Sequence, residues 1–136
     1  MARKFNKKTY KKKLDVLWSE IVRGRDKVCM TCGKTETLQA HHAIIRKGQS
    51  NSTRWDLENG VTMCYYCHIC QLHALATYTF LKTYMQRLDI KIPAETKDRL
   101  ILKKSEVFKD NQYNLELTMD NLLKEKELLT SNIIPV

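Results

Sequence analysis

The chain has 136 residues and a formal net charge of +9 at neutral pH, which suits one compact domain whose modest core would gain from a metal staple. The charge is lopsided: residues 1–27 carry ten Lys/Arg against three Asp/Glu, residues 28–93 seven against four, and residues 94–136 seven against eight. A polyanionic partner met by the N-terminal two-thirds is expected, with no membrane, since no run of about eighteen apolar residues exists.

Residues 1–13, MARKFNKKTYKKK, read as a solvated basic arm without apolar periodicity. They lack the apolar stretch of a secretory signal, so a reducing, cytoplasmic setting is expected, where cysteines bind metal or stay as thiols. Leu14, Leu17, Trp18, Ile21 and Val22 then recur at helical spacing, predicting an amphipathic helix that Gly24 would end. From Val28 the elements shorten: a CxxCG knuckle, a strand over 37–44, a polar loop over 46–54 and a second strand over 60–63. A helix is expected to begin near Cys67 and run to about Leu88, with Pro93 as a stop. Leu100, Ile101, Val107, Leu115, Met119, Leu122, Leu123 and Leu129 suggest two more helices. The organisation expected is an arm over 1–13, a central domain over 14–93, and a helical extension over 94–136 packed on that domain.

Cys29 and Cys32, then Cys64 and Cys67, form two CxxC pairs. Two intervening residues let each pair grip one ion from a tight turn, and four thiolates close a tetrahedral zinc site with no open position, so this zinc would be structural. Cys70 is the odd cysteine and reads as a buried thiol. Between the pairs lie His41, His42 and Asn59, and His68 follows the last cysteine directly. These exceed what one zinc needs. At the end of a strand, adjacent histidines point to opposite faces and can hold separate jobs, whereas Asn59-Gly60 taken alone reads as an ordinary turn.

QAHHAIIRKGQ, RWDLENGVTMC and YYCHIC together resemble the HNH endonuclease family, over about residues 25–75. The helix over 14–22 also looks like the lead-in of phage members that carry four-cysteine zinc sites. The resemblance implies an α+β, zinc-stabilised ββα-metal (His-Me finger) core with added N- and C-terminal helices. It makes His42 the general base, His41 and His68 ligands of a catalytic divalent metal (Mg²⁺ or Mn²⁺, with Zn²⁺ or Ni²⁺ as alternatives), and Asn59 the residue that holds the hairpin loop. Each role suits the chemistry: neutral imidazole accepts a proton near pH 7, and a cation at a scissile phosphate offsets charge in the transition state.

His73 fits the pattern less well. It lies five residues after His68, about 140° around an ideal α-helix, and metal ligation, phosphate binding and plain surface exposure all stay open for it. Lys11, Lys12 and Lys13 in the arm, Arg23 and Arg25 after the first helix face, and Arg46, Lys47 and Arg54 in the loop are candidate DNA contacts. The expected function is a metal-dependent DNA endonuclease, with a phage genome-processing or recombination role. Its C-terminal helices would dock to a packaging or replication protein. The rival is a non-catalytic zinc-finger DNA-binding module, which explains the charge and the thiols but leaves the histidines unexplained.

Overall fold

The computed structural model describes residues 4–131. Helix α1 (Lys7–Asp26) leads to strand β1 (Leu38–His42), a short helix α2 (Asn51–Arg54), a 3₁₀ turn (Leu57–Asn59) and strand β2 (Gly60–Cys64). A π-helix (Tyr66–Leu75) follows, then α3 (Tyr78–Lys91), α4 (Ala94–Lys104) and α5 (Gln112–Ser131). This is a mixed architecture, mostly helical, around one small antiparallel sheet in which Leu38 pairs with Cys64 and His42 with Gly60.

All five residues of β2 are buried, as expected for a strand covered on both faces. Alternation along the strands sorts the contacts. Val61 and Met63 join Cys29, Cys64, Cys67, Tyr84, Leu88, Ile92 and Leu100 in a core under the π-helix and α3. On the other side, Leu14, Leu17, Trp18, Ile21 and Val22 of α1 pack with Trp55, Leu115 and Leu122, so α5 rests against α1. Gly60 faces this second layer. A Cβ there would lie 2.6 Å from the Val22 side chain and 2.7 Å from the Trp18 ring, so no larger residue lets α1 sit this close to the sheet.

Three sequence expectations are corrected. The basic arm is not a separate solvated segment, because Lys11, Lys12 and Lys13 lie inside α1, which starts at Lys7 rather than Leu14. Asn6 caps the helix by accepting from Thr9 N at 3.1 Å, and Phe5 and Tyr10, on either side of that cap, bring their rings to 5.4 Å. This is a capping side chain with a hydrophobic staple, and both rings pack on the α1 core. Residues 1–3 of the arm and 132–136 of the C-terminal extension lie outside the described residues. Gly24 does not end α1; the helix closes at Asp26, with Lys27 in the left-handed conformation and its N–H on Arg23 O. Nor does one helix run from Cys67 to Leu88. The π-helix stops at Ala76, left-handed at φ 47°, and Thr77 caps a new helix.

Candidate metal centre and histidine cleft

The knuckle before β1 is built by Gly33, at φ 79°, whose N–H reaches Cys29 O at 2.9 Å while Cys29 N–H reaches Lys34 O at 2.8 Å. Met30 N–H is then tied to Thr62 O of β2 at 2.8 Å. This sets Cys29 and Cys32 against Cys64, the last residue of β2, and Cys67, in the first turn of the π-helix. The four sulfurs lie within 4.8 Å of one another, an arrangement able to hold one metal ion. Burial and the neighbouring sulfurs push the Cys67 thiol far up. Burial opposes ionisation of Cys29 too, but backbone N–H donors outweigh it and pull that thiol down to about 7. A central cation would relieve the crowding of these sulfurs.

At the other end of the sheet, His41 and His42 point to opposite faces. His41 faces the π-helix, where its ligand atom and those of His68 and His73 lie within 4.8 Å of one another. His73 therefore joins the cluster that α-helical geometry excludes it from. The turn here is π-helical, with bonds such as Ala76 N–H to Gln71 O at 2.6 Å, and its wider i→i+5 repeat brings residues five apart onto one face. Burial, then the neighbouring imidazoles, draw His41 down to about 3 and His68 to about 4, so both keep neutral nitrogens suited to a cation. Gln39, on the same strand face as His41, accepts from His68 Nδ1 at 2.8 Å, leaving His68 Nε2 as the ligand nitrogen. Tyr84 Oη lies 3.2 Å from His41 Nε2.

His42 faces α1. Its ring stacks on Trp18 with centroids 3.9 Å apart and planes 12° from parallel. Its Nε2 lies 2.9 Å from Arg54 O. A carbonyl oxygen only accepts, so Nε2 carries the proton and the lone pair of neutral His42 is on Nδ1. Burial lowers the pKa of His42, against a raising effect from that hydrogen bond. Both histidine faces border one cavity of about 1020 Å³, which Arg46, Lys47 and Tyr84 also line.

Asn59 is fully buried and is more than a turn residue. Its Oδ1 accepts from Ile44 N and Ile45 N, both at 3.0 Å, and its Nδ2 donates to Ile45 O at 2.8 Å. The loop leaving His42 is thus pinned to the start of β2. Asn59→Ala would strand these backbone groups at about 1–3 kcal/mol each, so a drop of several kcal/mol in urea-unfolding stability is expected. An unchanged midpoint would remove Asn59 from this role.

The basic residues divide by their partners. Arg25 binds Leu57 O at 2.8 Å, Gly60 O at 2.7 Å and the Asp26 carboxylate, which makes it a clamp on β2. Arg54 is paired with Asp15, Lys11 with Asp110, and Arg23 Nε lies 3.1 Å from Ser19 Oγ. Lys12, Lys13, Arg46 and Lys47 are exposed, Lys47 with its Nζ 3.2 Å from Asp15 Oδ2. Cys70 is half-buried, outside the four-sulfur group. Among the described residues, no helix is long and apolar enough to cross a membrane. The sequence pattern did not place Gln39, Tyr84 or Trp18 at the site; Trp18 stood there only as part of the apolar helix face. Only Gln39 carried a local signal, two residues before His41 on one strand face.

Set against family models, curated proteins and solved structures, the chain matches none. Its class is defined by its own geometry, a small sheet carrying a four-thiol cluster able to hold a metal ion at one end and a histidine cleft at the other.

Proposed function

We propose that the protein is a metal-dependent DNA endonuclease of the HNH type, with structural zinc at Cys29, Cys32, Cys64 and Cys67. The observation that carries this reading is the cleft itself. An imidazole held in one tautomer, with its Nδ1 lone pair unclaimed by Arg54, stands beside three further imidazoles clustered closely enough for one cation. In this reading His42 Nδ1 takes a proton from water, whose oxygen attacks the scissile phosphorus as the bond to the 3′ oxygen breaks. A divalent cation at His41, His68 and His73 would offset charge on the phosphate and the departing oxygen. The products carry 5′ phosphate and 3′ hydroxyl ends.

Supercoiled-plasmid cleavage with Mg²⁺, Mn²⁺ or EDTA tests this. Nicked or linear product with metal and none with EDTA is expected; intact plasmid under all conditions would favour the non-catalytic zinc module. A phage genome-processing role, in the host cytoplasm, extends the proposal. Exposed Leu117, Leu123 and Leu128 of α5 are where a packaging or replication partner would dock.

The exposed basic face of α1 supports DNA as the partner. Deleting residues 1–13 would also remove Phe5 and Tyr10 from the core, so charge replacement is the cleaner test. Lys12→Gln with Lys13→Gln should weaken binding and reduce the log–log salt slope by about 0.9 per lost phosphate contact. An unchanged slope would take these lysines off the DNA.

A further inference from the structure

The peptide that fixes His42 is itself held from α1. Asp15 accepts from Arg54 Nε at 2.9 Å and Nη2 at 2.7 Å, and from Trp55 Nε1 at 2.9 Å. Arg54 and Trp55 flank a single peptide unit, and the carbonyl of that unit receives the His42 Nε2 proton. One carboxylate therefore grips the side chains at both ends of the plane that sets the tautomer of His42. The forked, charge-assisted contact with Arg54 restrains direction as well as distance. Both partners are well enclosed, with side-chain exposures of 19% for Asp15 and 16% for Arg54. Trp18, three residues on along α1, supplies the stacking surface for the same imidazole. The helix thus fixes His42 from two directions.

We propose that Asp15 is a positioning residue for the general base, acting through the Arg54–Trp55 peptide to hold His42 with Nδ1 open to the cleft. The proposal rests on the nuclease reading for its catalytic meaning, but the clamp can be tested without cleavage. A purely electrostatic Asp15 would act with the opposite sign. Its Oδ2 lies 3.2 Å from Lys47 Nζ, and removing that negative charge should tighten DNA binding and leave the chemical step alone.

The experiment compares the full-length parent, Asp15→Asn and Trp55→Phe, each confirmed as folded by thermal melting and metal content. Trp55→Phe removes one arm of the clamp and keeps an aromatic ring, so it serves if Asp15→Asn fails to fold. With Mn²⁺ and saturating plasmid, Asp15→Asn should lower kcat about 10- to 100-fold, the span typical of residues that orient a functional histidine. DNA affinity in EDTA should be unchanged or tighter. Trp55→Phe should lower kcat less, and the double variant should be no slower than Asp15→Asn.

In ¹⁵N NMR of the zinc-loaded protein without added Mn²⁺, the parent His42 should show one Nε2–H tautomer and Asp15→Asn a mixture. A folded Asp15→Asn variant with parental kcat, or with a single tautomer retained, overturns the proposal. If the parent cleaves nothing, the nuclease reading fails while the NMR comparison still decides the clamp.

Discussion

Replacing His42 with Ala is expected to lower the plasmid-cleavage rate about 10²- to 10⁴-fold, the usual contribution of a positioned base. The four-sulfur site and the His41, His68 and His73 group should persist, because His42 points to the other face of β1 and lies outside both clusters. His68→Ala should instead weaken metal binding at the cleft, so excess Mn²⁺ should partly restore its rate and leave His42→Ala unrescued. The pH profile follows from the same geometry. Burial holds His42 below its ordinary value of 6.5, and a base works only unprotonated. Parent cleavage should therefore be flat at neutral pH and fall as pH drops through a value below 6.5. A folded His42→Ala protein that cuts at the parental rate, with nuclease contamination excluded, removes the base assignment.

What the sequence made legible follows physical range. The cysteine pairs, β1, β2 and the α1 core face are written in local spacing, and each appears where that spacing puts it. The start of α1 was also local but misread. Run after run of lysine hid the Asn6 cap and the Phe5–Tyr10 staple, although Tyr10 stands four residues before Leu14 and continues the apolar stripe. The π-helix was not legible in the same way. No residue pattern over 66–75 distinguishes it from an α-helix, and the wider turn alone carries His73 to His41 and His68. Asp15 carries no local signal at all. Its meaning depends on Arg54 and Trp55, which reach it only once the sheet is folded against α1.

Cys29→Ser should abolish cooperative unfolding and with it the histidine cleft. Structural zinc contributes roughly 10–16 kcal/mol of apparent folding free energy at neutral pH, more than a core of this size supplies unaided. The four thiols join three segments at one point: the knuckle before β1, the end of β2 and the first turn of the π-helix. Cys67 is adjacent to His68, and Cys64 closes the strand whose other end pairs Gly60 with His42. Losing the knot should thus free the π-helix from the sheet and separate His68 and His73 from His41. The defect should differ in kind from that of His68→Ala, because added Mn²⁺ has no assembled site to fill. The measurements are metal content, thermal unfolding and Mn²⁺ binding on the same sample. A Cys29→Ser protein that retains one equivalent of zinc and the parental melting transition would show that the thiols are not the staple. One that melts early yet binds Mn²⁺ as the parent does would show that the cleft stands without them.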